Sequence, residues 1–186
     1  MGHIIFFIIV ALWVLLDGYI MLFHNKKGSH YTVEKTSKYV IILGILFGMG
    51  AGQLFLESRI AFSEPFTFFR YFGLLVMVLG LIIRMIAIWQ LGKSFTDHIM
   101  IQKEKTLFKQ GLYKFIRHPS YLGEMMIFIG VSLVYAYPLS SWIAFIVPTG
   151  AFLYRIHVEE RALVKHYQEH YTTYQKETKK IIPFLY

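Results

Sequence analysis

The sequence predicts an all-α integral membrane protein with about five transmembrane helices, the last two a short helical hairpin, followed by a cytoplasmic C-terminal amphipathic helix. Three observations carry this expectation. Hydrophobic residues make up 56% of the 186-residue chain and aromatics 18%, while charged residues are held to 16%, below the quarter usual for soluble domains. The apolar residues fall into runs long enough for bilayer helices. The 19 Lys and Arg residues cluster in the connections between those runs. That distribution reads as membrane topology with anionic headgroups as the counter-charge, and not as the basic face of a nucleic-acid-binding domain. The absence of cysteine excludes disulfides, thiolate catalysis and Cys-ligated metal centres.

The first span covers residues 3–23 and contains one acid, Asp17. The opening MGHIIFF lacks the basic lead-in and cleavage site of a signal peptide, and Phe6 breaks the myristoylation pattern, so it is read as a mature span. A polar connection with Lys26, Lys27, Lys35 and Lys38 leads to a second span over 39–56. Its Gly44, Gly48 and Gly52 recur every four residues and offer a strip where another helix can approach closely. The third span, 71–91, carries Arg84.

After the segment QKEKTLFKQGLYKFIRHPSYLGE, which starts at Gln102, come two shorter apolar runs, 122–137 and 139–154, separated at Pro138. At 1.5 Å per residue each reaches about 24 Å, as expected of a hairpin that barely crosses. From His157 to about Lys180 the chain turns polar, with Leu163, Tyr167, Tyr171 and Tyr174 at three- and four-residue spacing, an amphipathic stripe that packs on the membrane or the core. The last six residues, IIPFLY, are expected to tuck back into apolar surroundings. Without repeats or linkers, one domain is expected: three spans over 1–91, a binding segment over 92–121, the hairpin over 122–156, and a helix with its tail over 157–186. The connections hold four, two, six and no basic residues in turn, the last at Pro138, and the stretch from Arg155 onward holds six, Arg84 aside, which sets the N-terminus outside and the binding segment and C-terminus in the cytoplasm.

Several polar groups stand out against this background. Asp17 and Arg84 each lie about 10 Å from the cytoplasmic end of their spans, where a lone charge is costly, and a structural ion pair is expected. His166, Glu169 and His170 match a zinc-binding pattern, but no third ligand with supporting groups follows, so no metal is expected. Arg117, His118, Ser120 and Tyr121, with Pro119 at the first turn of the next helix, gather a cation, an imidazole and two hydroxyls at a helix N-terminus. Such an end favours an anionic group. Arg155 and Glu159 share one helix face where the last apolar run surfaces, and the hairpin brings both clusters to one cytoplasmic mouth.

The motifs LGKSFTDHIMIQ, GLYKFIRHPSYLGE, RIHVEERAL and HYTTYQK together resemble the isoprenylcysteine carboxyl methyltransferase family and its phospholipid methyltransferase relatives, over about residues 90–186. The resemblance implies a small helical membrane enzyme that binds S-adenosylmethionine without a Rossmann domain. It implies cofactor contacts from Gln102, Thr106, Leu107, Phe108, Tyr113, His118, Pro119, Ser120, Tyr121 and Glu159. Arg155 would face a lipidic or prenylated acceptor, and Arg155 and Glu159 would form the catalytic pair. A carboxylate acceptor is already ionised and needs no base, whereas an amine would need one, from Glu160, His157 or His98. The same Arg-His-Pro-x-Tyr-x-Gly-Glu stretch, completed by Glu124, is similar to NADPH-dependent membrane sterol and enone reductases. That alternative stays open here, beside phospholipid amine methylation and a non-enzymatic membrane protein.

Overall fold

The computed structural model describes residues 2–23, 30–34, 36–54, 67–92, 99–102, 107–135 and 138–182. Six α-helices carry the architecture: α1 (Gly2–Phe23), α2 (Thr36–Leu54), α3 (Thr67–Leu91), α4 (Pro119–Tyr135), α5 (Pro138–Tyr167) and α6 (Glu169–Glu177). By length and composition, α1, α3 and α5 contain stretches able to cross a membrane, and α2 and α4 are shorter apolar helices. Packing pairs α3 with α4 and α2 with α5. The two pairs join along α4 and α5, and α1 lies against α3. Met77, Phe128, Val131 and Phe152 fill the centre, where Trp13 of α1 meets Phe128 edge-on at 5.8 Å.

Glycine sets how closely the helices approach. Gly73 and Gly80 on α3 face Gly130 and Gly123 on α4. A Cβ at Gly80 would stand 2.6 Å from the Gly123 carbonyl oxygen, and one at Gly73 would stand 2.7 Å from that of Gly130. With no hydrophobic force between helices in lipid, such backbone contact is a main source of association. The strip read on α2 does the same against α5. Gly44 abuts Ala151, and Gly48 receives the ring of Pro148, whose Cδ would lie 2.7 Å from an added Cβ.

Two features depart from the sequence reading. The all-helical expectation misses a two-stranded antiparallel sheet, β1 (His30–Glu34) with β2 (Ile99–Gln102), in the register His30 opposite Gln102 and Thr32 opposite Met100, with a bulge before Glu34. Each strand is too short to announce itself, and the partners lie some seventy residues apart. The second departure is at the hairpin: α5 does not stop where the apolar run ends but continues for three further turns to Tyr167. Pro148 interrupts neither its course nor its packing. The helix breaks only at Gln168, whose φ of 48° is left-handed.

The pairing of Asp17 with Arg84 is present, and a third member joins it. Arg84 Nη2 lies 2.8 Å from Asp17 Oδ1, Arg84 Nε lies 2.9 Å from Glu124 Oε1, and Arg84 Nη1 reaches the Ser120 carbonyl at 3.5 Å. Glu124 is fully buried. One guanidinium thus ties α1, α3 and the first turns of α4 together.

Candidate active site

The segment between β2 and α4 is shaped by a turn that only glycine suits. Gly111 adopts φ +60°, and an added Cβ would fall 2.4 Å from the Gln90 side chain. Gln90 Oε1 instead accepts the Leu112 amide at 2.9 Å, which anchors the short 3-10 helix Gly111–Lys114 to the end of α3. Tyr113 is thereby pointed inward. Its hydroxyl donates to the Ala87 carbonyl at 3.4 Å, its own carbonyl accepts from Tyr174 Oη, and Phe108 packs edge-on at 5.5 Å. Burial pushes the phenols of Tyr113, Tyr171 and Tyr174 well above their ordinary pKa, so they stay protonated, and those of Tyr113 and Tyr174 act as hydrogen-bond donors.

The amphipathic stripe reaches a core of its own. Ala162, Tyr167, Tyr171 and Tyr174 cluster with Leu107 and Leu163, so this face packs on the binding segment of the same chain. The tail then returns alongside residues 115–118. Lys179 N donates to the Phe115 carbonyl at 3.1 Å, and Arg117 N donates to the Lys179 carbonyl at 2.8 Å. Of the apolar end expected to tuck in, Ile181 is buried in the main core while Ile182 is exposed; residues 183–186 lie outside the described residues.

Two Glu residues side by side on α5 have different fates. Glu160 is enclosed by two cations and an imidazole: Arg117 Nε at 2.7 Å, Lys180 Nζ at 3.6 Å and His118 Nε2 at 3.3 Å. Arg117 also donates to the Gln175 and Thr178 carbonyls. The cation and imidazole read as an anion-binding end are therefore engaged by the chain's own carboxylate, and Glu160 is not a spare base. His157 is exposed, and His98 lies outside the described residues. Glu159 points to the other side and accepts from Tyr121 Oη at 2.7 Å. Tyr121 Oη in turn accepts from Arg155 Nε at 3.3 Å, and Arg155 Nη1 donates to Ser37 Oγ at 2.7 Å.

Of the residues singled out in the sequence, Tyr121, Glu159 and Arg155 are joined in one hydrogen-bonded chain. His118 stacks on the Tyr121 ring at 5.6 Å and 17°. Pro119 and Ser120 are buried in the first turn of α4 beside it. Phe108 packs on Tyr113, and Leu107 on the cluster of Tyr167, Tyr171 and Tyr174. Gln102 ends β2, opposite His30, and Thr106 lies outside the described residues. Sequence reasoning missed Ser37, the anchoring of the Gly111 turn by Gln90, and the engagement of Glu160. Among the described residues no three His, Asp or Glu side chains converge as a metal centre would require.

The model of the isoprenylcysteine carboxyl methyltransferase family matches residues 73–165, half of the chain, from within α3 to the last turn of α5. The Saccharomyces cerevisiae protein-S-isoprenylcysteine O-methyltransferase is 31% identical over 97% of this chain and 79% of its own length.

The chain belongs to the isoprenylcysteine carboxyl methyltransferase family.

Among further relatives, a probable protein-S-isoprenylcysteine O-methyltransferase of Oryza sativa subsp. indica is 31% identical over 88% of this chain and 85% of its own. The solved structure of the eukaryotic intramembrane Ras methyltransferase superposes with a TM-score of 0.58 and 25% identity, over 80% of this chain and 50% of that one. The chain thus spans about half the length of that solved relative. Family membership and the apolar helices make it a multi-pass integral membrane protein. They support methyl transfer and leave the reductase alternative without support.

Proposed function

We propose that this protein transfers a methyl group from S-adenosylmethionine to the carboxylate of a lipidic, isoprenylcysteine-type acceptor. The observation that carries this reading is the linked set Glu159, Tyr121 and Arg155, which sits inside the family-matched region and combines an anionic with a cationic end.

S-adenosylmethionine supplies a methyl group on a positively charged sulfur that needs no further activation. The donor set suits such a molecule. Glu159 is a half-buried carboxylate able to accept from amino or hydroxyl groups, and the ring of Tyr121 offers a face to a cation. Leu107, Phe108 and Tyr113 supply an apolar wall. Arg155, at the other end of the chain, pairs with an acceptor carboxylate. Tyr121 bridges the two ends. What remains for the protein is alignment and exclusion of water, as an in-line displacement on an already ionised nucleophile requires. A carboxylate fits better than an amine, because Glu160, the nearest candidate base, is held by Arg117, His118 and Lys180.

The lipidic part of the acceptor is supported by an apolar cavity of about 310 Å³ between α4 and α5, lined by Leu122, Met126, Ile129, Phe145 and Leu153 among others. Leu122 follows Tyr121 and Leu153 precedes Arg155 by two residues, so this cavity begins at the level of the polar set. The distribution of basic residues supports an orientation with the N-terminus outside and the site and C-terminus in the cytoplasm.

The test is calorimetric titration of the detergent-purified protein with S-adenosylhomocysteine and with NADPH, alongside transfer of labelled methyl from S-adenosylmethionine to N-acetyl-S-farnesylcysteine. Binding of S-adenosylhomocysteine, lost in Glu159→Ala, together with base-labile methyl incorporation, is the expected result. NADPH binding in its place would overturn it.

A further inference from the structure

Arg155 is only 3% exposed, and three helices meet at its guanidinium. Its Nε donates to Tyr121 on α4 and its Nη1 to Ser37 on the first turn of α2, at 2.7 Å. Ser37 is itself 0% exposed. A serine so near a helix start is ordinarily read as serving backbone amides; here its oxygen accepts from a side chain 118 residues away in the sequence.

We propose that Ser37 is a positioning residue for Arg155, and fixes the plane of the guanidinium that meets the acceptor carboxylate. The inference rests on the function proposed above.

Arginine recognises a carboxylate through two parallel N–H bonds, so the orientation of its plane matters as much as its position. A side chain with four rotatable bonds does not hold that plane from one end. Anchors on two different helices do, with Tyr121 fixing Nε and Ser37 fixing Nη1. A hydroxyl suits the task because it accepts an N–H without neutralising the cation, as a carboxylate would. The seat of Ser37 is itself held. β1 ends three residues earlier at Glu34 and is paired with β2, which leads into the binding segment. Placement of α2 by that sheet and by the contacts of Gly44 and Gly48 with α5 therefore sets where the hydroxyl stands.

The experiment compares full-length wild type, Ser37→Ala and Ser37→Cys in detergent or nanodiscs, each with and without Arg155→Lys. Methyl transfer to N-acetyl-S-farnesylcysteine is followed at varied acceptor concentration, and S-adenosylhomocysteine affinity by titration. Loss of a hydrogen bond to a charged group predicts a fall of about ten- to a hundredfold in acceptor kcat/KM for Ser37→Ala. S-adenosylhomocysteine affinity should stay within about twofold of wild type. In the Arg155→Lys background the same change should cost less than about threefold, since the group it serves is gone. Ser37→Cys, which keeps the volume with a weaker acceptor, should fall between and report the same split if Ser37→Ala does not fold. Unchanged acceptor kinetics, a parallel loss of S-adenosylhomocysteine affinity, or a full penalty in the Arg155→Lys background would each overturn the assignment. An active wild type with an unaffected Ser37→Ala sinks only this inference. A wild type that neither binds S-adenosylhomocysteine nor methylates sinks the proposed function and this with it.

Discussion

Replacing Arg84 with methionine removes the guanidinium that Asp17 and Glu124 share, at 2.8 and 2.9 Å. The two acids do not suffer equally. The Asp17 side chain is 30% exposed and can turn to water, whereas that of Glu124 is 0% exposed and has nowhere to go. The cost is therefore mainly that of stranding one carboxylate in a packed interior, about 3–5 kcal/mol. For a protein of this size that corresponds to a fall in Tm of roughly 6–20 °C. Tryptophan fluorescence during a thermal ramp in detergent reads it, because Trp13 packs in the same core. The combined variant Arg84→Met, Asp17→Asn, Glu124→Gln removes all three charges and should recover at least half of the loss. A single variant within about 2 °C of wild type, or a combined variant no better than the single one, would refute the reasoning that the cluster is a buried charge balance.

Four further outcomes follow from the geometry. Gly80→Ala drives a methyl into the Gly123 carbonyl and should cost about 1–3 kcal/mol by prying α3 from α4, while Gly50→Ala, which meets nothing within 4 Å, should leave Tm unchanged. Tyr121→Phe breaks the link between Glu159 and Arg155 and should lower acceptor kcat/KM by about ten- to a hundredfold; unchanged kinetics would remove Tyr121 from the site. Glu160→Gln leaves Arg117 and His118 without their anion, and limited trypsin digestion should cut faster after Lys179 and Lys180 if that carboxylate pins the tail. The phenols of Tyr113, Tyr171 and Tyr174 are raised in the folded state, so their contribution is fully present below the unfolded tyrosine pKa. It is lost as pH rises above about 10, by up to about 1.4 kcal/mol per pH unit for each. Denaturant midpoints between pH 9 and 12 should show this decline, and a flat profile would contradict the burial of these hydroxyls.

Much of this protein was legible as a one-dimensional pattern. Spans announce themselves because about twenty consecutive apolar residues have few other uses. Asp17 and Arg84 could be paired on paper because depth along a helix follows from residue count, and the Gly44 and Gly48 strip because helical spacing places both on one face. The polar set of Tyr121, Glu159 and Arg155 was reachable because each lies beside a motif with its own spacing.

What the sequence determined by itself was therefore everything governed by local periodicity and by the cost of charge in lipid: the number of apolar helices, the expected pairing of Asp17 with Arg84, and the segments that carry chemistry. Tertiary structure alone decided which partners each of two adjacent glutamates meets. Glu159 and Glu160 are indistinguishable in composition and differ by a 100° step around α5, so only the neighbours they meet assign one to Tyr121 and the other to Arg117, His118 and Lys180. It also decided that Glu124 joins Arg84, that β1 finds β2, and that Ser37 reaches Arg155 across 118 residues. Those partners are chosen by the packing of whole helices, and no spacing along the chain encodes a contact that exists only once α2 and α4 have closed on α5.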